Sequence, residues 1–278
     1  MLTSLLSLVA GFASGILAAV IGVGGGALTT PMIRWMGATP IASVGSTVPA
    51  ILPGALSGAW RYHREGLIER EIVLMCGLAG VVSAALGAWV ADLVDAHWLM
   101  VLTAVVIMWC GVSLWRDALR VPPTQFGPES VHPTEEHGRA GIDVSATSGQ
   151  SVRPRGGRPA MLAIGVTAGF LAGLLGIGGG LVLVPALTLG LRLPVKRAVA
   201  TSLATVAMMS VTALVVHVSL GHVDWRYALP LAVGIVPGAQ VGATFTIRTS
   251  DAALRKVAGV LLVVMAALFA GRELAALR

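Results

Sequence analysis

A succession of apolar runs fills this chain: residues 2–23, 41–60, 72–91, 98–115, 160–191, 198–220, 227–247 and 257–270. Several reach the roughly 20 residues a helix needs to cross the hydrocarbon core of a bilayer, and the others come close. The runs are continuous, whereas a transmembrane barrel alternates apolar and polar side chains in strands of about ten residues. Only 12% of residues are charged, about half the share in a soluble domain. The pattern predicts an all-α, polytopic transmembrane helical bundle. In hydrocarbon every backbone polar group must be satisfied inside the protein, so a break in a helix needs a reason.

Two such breaks stand out. Gly22-Val23-Gly24-Gly25-Gly26 interrupts the first run, and Gly176-Ile177-Gly178-Gly179-Gly180 interrupts a later one. At an offset of 154, residues 11–31 and 165–185 share nine of 21 positions, including the glycines, Leu17-Ala18 with Leu171-Ala172, and Pro31 with Pro185. Each glycine disfavours a helix interior by about 1 kcal/mol relative to alanine. Beyond the breaks the offset becomes 155: Gly66 matches Gly221, Glu69 matches Asp224, and Gly87-Ala88 matches Gly242-Ala243. The chain divides into a first transmembrane repeat (1–116), a flexible linker (117–159) and a second repeat (160–278). The linker holds six prolines and many Ser, Thr, Gly and Glu, too few apolar residues to pack. Because the first glycine cluster belongs to the repeat, residues 1–36 read as mature structure rather than a signal peptide.

Charge between the runs orients the chain. In the first repeat the turn at 61–70 carries Arg61, Arg64 and Arg70, while the turn at 92–97 carries Asp92 and Asp95 and no Lys or Arg. In the second repeat the turn at 221–226 has one Arg beside an Asp. The turns at 192–197 (Arg192, Lys196, Arg197) and 248–256 (Arg248, Arg255, Lys256) are basic. The positive-inside rule then puts corresponding turns on opposite faces. The expectation is two inverted-topology repeats, each with a broken or re-entrant glycine-rich segment, and a cytoplasmic linker. The net charge of +6 serves this orientation and does not point to nucleic acid. Trp35, Trp60, Trp89, Trp98, Trp109, Trp115 and Trp225 fall mostly near run ends, as an interfacial belt would.

Inverted repeats with matching broken helices point to a secondary transporter. A break exposes N–H groups at the positive end of the following helix, and glycine lets the backbone curl around an anion. Substrate-binding candidates are the backbone at Gly24, Gly25, Gly26, Gly178, Gly179 and Gly180. Hydroxyls at equivalent positions, Ser46 with Thr201 and Thr47 with Ser202, could complete an oxyanion cage or simply cap helices. Gln240, the side-chain amide of the predicted spans, is expected to face the bundle interior, as a further substrate-binding candidate or as glue between helices. The spaced pairs Gly11/Gly15 and Gly165/Gly169 read as close helix packing. Pro49, Pro53 and Pro237 read as kinks. His63 and His217 read as interfacial, and Cys76 and Cys110 as small buried apolar residues. No metal-ligand spacing or cofactor motif is present in the sequence, and no Asp or Glu falls mid-span.

These residues resemble the sulfite exporter TauE/SafE family. GVGGGALTTP, GIGGGLVLVP, the ATSL at 200–203, the GHVDW at 221–225 and the G-x3-G-x3-GA at 234–243 carry the resemblance. In the first copy VGSTVPA stands where the second has VATSLAT, and IER replaces VDW. The resemblance implies export or uptake of small sulfur-containing anions, such as sulfite, thiosulfate, sulfonates or sulfoacetate, across the bacterial inner membrane. The expected partners are a small anionic substrate and the lipid bilayer, with homo-oligomer formation left open. An anion channel and a non-transporting accessory subunit are the alternatives. An intramembrane enzyme would need a nucleophile–base pair or metal cluster inside a span, which the sequence does not offer.

Overall fold

The computed structural model describes residues 2–120 and 157–249, with scattered positions between 253 and 267. Its regular elements are helical: α1 Leu2–Ile21, α2 Gly26–Trp35, α3 Pro40–Arg64, α4 Arg70–Leu93, α5 Ala96–Arg120, α6 Gly157–Leu175, α7 Gly180–Pro185 continued by a π turn at Ala186–Gly190, α8 Val195–Ser219 and α9 Trp225–Arg248. Among the described residues, six helices (α1, α3, α4, α6, α8 and α9) are long and apolar enough to cross a membrane. Most of the expected linker, and most of the last apolar run, lie outside the described residues. The linker's edges, 117–120 and 157–159, are helical.

Local signals fix the helix ends. Thr39 caps α3 by accepting the Ala42 amide, and Pro40 follows at the first helical position, where its missing N–H costs nothing. Asp224 caps α9 through the Arg226 amide, 2.9 Å away. Helices α3 and α8 stop in the same way. Gly66 (φ 66°) and Gly221 (φ 70°) take left-handed conformations. The amides of Leu67 and His222 then turn back onto the carbonyls of Tyr62 and His217, the usual glycine C-terminal closure.

The two halves interlock. Helix α1 packs on α9: a Cβ on Gly11 would strike the Leu231 backbone, and one on Gly15 the backbones of Ile235 and Ala239. Helix α6 packs on α4 the same way, with Gly165 on Cys76, Gly169 on Gly80 and Gly173 on Ala84 and Ala88. In both pairs the residue numbers rise together, so the partners run parallel. Backbone-to-backbone contact through small residues is how membrane helices gain packing without a hydrophobic drive between them. Helix α3 lies beside α9 and α8, and α8 beside α4. Gly45 meets His222 and Gly54 meets Ile235; Gly77 meets Met208.

Large apolar side chains face outward all round: Trp60, Leu78, Val82, Trp89, Trp98, Val215 and Val233 are each more than half exposed. An apolar perimeter of this extent suits lipid. The loops gather at two ends. At one end the turns after α2, α4 and α8 meet, with His222 on Asp92 and the Asp224 amide on Ser46. At the other end Arg197 pairs with Glu69, and Lys196 Nζ caps α9 through the Ile247 carbonyl at 3.1 Å. Arg61, Arg64, Arg70, Arg192 and Arg248 belong to that second end.

Candidate functional site: two crossed helix breaks

The first break is built by its glycines. Helix α1 ends as the amides of Gly22 and Val23 both fold back on the Ala18 carbonyl, at 2.8 and 3.2 Å. Gly22, Gly24 and Gly25 sit at φ 81°, 79° and 98°, a region that strains any residue with a Cβ. Helix α2 restarts at Gly26, with the Leu28 and Thr29 amides closing on the Gly25 carbonyl, both at 3.1 Å. The second break repeats the geometry. Gly176, Gly178 and Gly179 sit at φ 63°, 85° and 69°, and the Val182 and Leu183 amides close on the Gly179 carbonyl at 3.1 Å.

Between closure and restart, donors are left over. Among the described residues, the amides of Gly24, Gly25 and Gly26 and those of Gly178, Gly179 and Gly180 take no hydrogen-bond partner. They lie at the positive ends of α2 and α7. Residues 18–31 and 172–181 are buried throughout. Unpaired N–H groups so deep in a protein are rare and ask for a reason.

The breaks cross each other. A Cβ on Gly26 would come within 2.6 Å of the Ile177 carbonyl carbon, and one on Gly180 within 2.8 Å of Val23 Cα. Ile51 and Val206 form the walls. A Cβ on Gly24 would meet Val206 Cγ1 at 2.7 Å and Ile51 Cγ2 at 3.3 Å; one on Gly178 would meet the same methyls at 3.3 and 3.1 Å. In this conformation the crossing is closed and lined by apolar methyl groups.

The four hydroxyl candidates divide by task. Thr201 Oγ1 accepts the Glu69 amide at 3.1 Å, and Ser46 Oγ accepts the Asp224 amide at 2.8 Å. Each therefore holds the start of a helix, α4 or α9, in the other half of the chain. Ser202 Oγ donates to the Gly22 carbonyl at 2.8 Å, which ties α8 to the first break. Thr47 Oγ1 donates to the Ser43 carbonyl at 2.7 Å and pairs with Thr30 Oγ1 of α2 at 3.2 Å. Ser202 and Thr47 thus adjoin the breaks, whereas Ser46 and Thr201 face the bundle's two ends.

Gln240 stands apart from the crossing. Its Nε2 donates to the carbonyl and hydroxyl of Ser57, both at 2.9 Å, and so joins α9 to α3. Beside it runs an open groove lined by Val241, Thr244, Phe245, Arg248 and Thr249.

Two residues carry more than the sequence suggested. Tyr62 is wholly buried and donates to the Ala19 carbonyl at 2.7 Å. His217, read from sequence as interfacial, is wholly buried and meets the Gly173 carbonyl at 3.1 Å. The correction has a simple cause. His217 stands 155 positions after Tyr62, and Gly173 stands 154 after Ala19, so both rings fill the same place against the helix that precedes a break. The repeat offset alone would have paired them.

Known proteins resemble the chain over most of its length. The family described as Sulfite exporter TauE/SafE matches residues 7–269. A Bacillus subtilis (strain 168) protein named "Probable membrane transporter protein YunE" is 28% identical over 84% of this chain and 85% of its own length. A "Probable membrane transporter protein" of Xylella fastidiosa (strain 9a5c) is 25% identical over 92% and 89%. One from Methanocaldococcus jannaschii is 25% identical over 90% and 89%. No solved structure matches the chain.

Proposed function

The chain belongs to the sulfite exporter TauE/SafE family of membrane transporters, and on that premise we propose a secondary transporter that moves a small sulfur-containing oxyanion or organosulfonate by alternating access. The observation that carries this reading is the set of unpartnered, buried amides at Gly24–Gly26 and Gly178–Gly180. An oxyanion offers several acceptors and no donors, which is the complement such amides lack. Discrimination among anions would then rest on how far the two breaks part.

The mechanism takes the two repeats to be inverted, and helix directions support that reading. Helix α3 runs parallel to α9, and α9 is joined to α8 by a short turn, so α3 and its counterpart α8 run in opposite directions. The same reasoning applies to α4 and α9. The acidic end, with Asp92, Asp95 and Asp224, would face outward. The basic end would face the cytoplasm, together with the linker. The crossing is closed in this conformation, so an anion would enter when one half tilts against the other and separates Gly26 from Ile177 on one side. Ser202 and Thr47 would then exchange a protein partner for the anion, while Ser46 and Thr201 keep the helix starts in place.

Reconstitution tests this directly. The purified protein in liposomes should show saturable uptake and counterflow of at least one of labelled sulfite, thiosulfate, taurine, sulfoacetate, sulfate and short carboxylates. No saturable flux of any would sink the carrier reading. Turnover far above carrier rates without counterflow would identify a channel.

A further inference from the structure

The amide site leaves one buried polar chain unused. It runs from the Gly173 carbonyl through His217 and His222 to Asp92 at the end of α4. His217 is wholly buried, His222 is 8% exposed, and the Asp92 side chain is 47% exposed. His217 Nε2 lies 3.1 Å from the Gly173 oxygen, and the two Nδ1 atoms lie 3.2 Å apart. His222 Nε2 lies 2.9 Å from Asp92 Oδ1.

Proton bookkeeping on these contacts is decisive. A carbonyl only accepts, so His217 carries hydrogen on Nε2. Its Nδ1, in the neutral ring, is then an acceptor, and His222 must donate from Nδ1. The contact between His222 Nε2 and Asp92 needs a third hydrogen. Two neutral imidazoles and a carboxylate supply only two. All the contacts are therefore made only when one further proton is bound, between His222 and Asp92.

We infer that Asp92, His222 and His217 form a proton-binding relay that couples proton entry at the exposed Asp92 to anion binding at the second glycine break. A proton arriving at Asp92 passes to His222 Nε2; His222 then gives its Nδ1 hydrogen to His217 Nδ1. His217 becomes an imidazolium still held on the Gly173 carbonyl, which cannot take the proton further. The charge stops there, three residues before Gly176 and about 5 Å along the helix axis from it. An unpaired cation buried at that point is costly, so the proton settles on His217 when an anion occupies the neighbouring amides. By linkage the proton raises anion affinity by the same factor, which makes the pair a proton–anion symport device.

The first half shows that packing alone does not demand histidines. There Tyr62 makes the equivalent bond to Ala19, and Leu67 stands where the second half has His222. The proton-accepting pair is thus confined to one end. Among the described side chains, the other charged groups at that end are Arg34, Asp95, Asp224 and Arg226. Asp224 caps the Arg226 amide, and Arg34 donates to the Ala38 carbonyl. From α3 the His222 backbone is met by Gly45, and from α6 the His217 ring is met by Gly173. Asp92 is the carboxylate bonded to the His222 ring.

The inference rests on the transporter reading, so the test has one arm without transport. In the full-length protein in lipid nanodiscs, 15N-histidine NMR follows the ring nitrogens across a pH titration. His217 and His222 should take up one shared proton, and Asp92→Asn should lower that affinity by about tenfold or more. The double variant His217→Tyr, His222→Leu copies Tyr62 and Leu67, should fold, and should lose the shared proton. In liposomes with thiosulfate as probe, wild-type uptake should acidify a trapped dye, and the double variant should not. Two independently titrating rings unaffected by Asp92→Asn would overturn the relay. So would thiosulfate uptake by the wild type at constant internal pH. An intact shared titration with no flux of any anion would overturn the transporter reading and leave the proton site standing.

Discussion

Thr201 accepts the backbone amide of Glu69 at 3.1 Å, across 132 residues of sequence. Exchange the halves and the same bond recurs, with Ser46 accepting the amide of Asp224 at 2.8 Å. In each case a hydroxyl on the long helix after a break pins the start of a helix in the other half. The amides pinned are among the first, orphaned donors of α4 and α9. This reciprocal clasp fixes both ends of the bundle while the glycine breaks cross in its middle.

The clasp predicts an order of stabilities. Thr201→Val leaves the Glu69 amide without its acceptor and should destabilise the protein by about 1–2 kcal/mol. Thr201→Ser should be close to neutral. Arg197 also holds Glu69 through its carboxylate, but the guanidinium is about a third exposed, so Arg197→Gln should cost under about 1 kcal/mol. Thermal unfolding in detergent gives the ranking. A larger loss for Arg197→Gln than for Thr201→Val would reverse the account.

Tyr62 offers a second stability test. Its hydroxyl is buried and donates to the Ala19 carbonyl at 2.7 Å, just before the first break. Tyr62→Phe keeps the ring and strands that carbonyl, a loss of about 1–3 kcal/mol. The melting temperature should fall, and transport should fall with it if the end of α1 loosens. An unchanged melting temperature would mean that the carbonyl finds water or another donor.

These relationships were partly legible in the sequence. Runs of apolar residues set the helices, and the glycine clusters set the breaks, because both follow from local backbone physics. Gly11, Gly15, Gly165 and Gly169 were readable as packing sites for the same reason. Partners were not readable. Nothing in the sequence near Ser46 names the Asp224 amide, since the two meet only when the halves interlock. His217 looked interfacial by its place near the end of a run. Its ring is met by His222 and by the Gly173 carbonyl, and both lie outside α8. The hydroxyl of Thr201 looked equally suited to an anion or to capping and back-bonding a helix; that it accepts the Glu69 amide of the other half depends on tertiary packing.

Topology can be read by labelling. Glu65 and Ser219 are both exposed at the ends of equivalent helices, while Cys76 and Cys110 are buried. If the halves are inverted, Glu65→Cys reacts with a membrane-impermeant maleimide only after the inner face is opened. Ser219→Cys reacts in intact cells. Labelling of both from the same side would rule out the inverted arrangement, and reaction of Ser219→Cys from the inner face alone would put the proton relay on the wrong face.

The crossing itself yields the sharpest contrast, because its glycines are constrained in different ways. Gly26 is helical, and the three atoms nearest to a Cβ there are all Ile177 backbone, at 2.5 to 2.6 Å. No side-chain truncation can make room, so Gly26→Ala should abolish flux in every background. At Gly24 the nearest obstacle is a side chain, Val206 Cγ1 at 2.7 Å. Gly24→Ala should also stop flux, but adding Val206→Ala removes the clash. The backbone strain at φ 79° remains, of order 1 kcal/mol or more, so the rescue should be partial. Gly37 is the control: it too has a left-handed φ, 99°, yet a Cβ there meets nothing within 4 Å, so Gly37→Ala carries strain alone and should keep most of the flux. Counterflow rates at matched membrane insertion decide the matter. Equal loss at Gly37 and Gly26 would show that the glycines matter for backbone conformation in general. Rescue at Gly24 without rescue at Gly26 would locate the requirement in the contact between the two breaks.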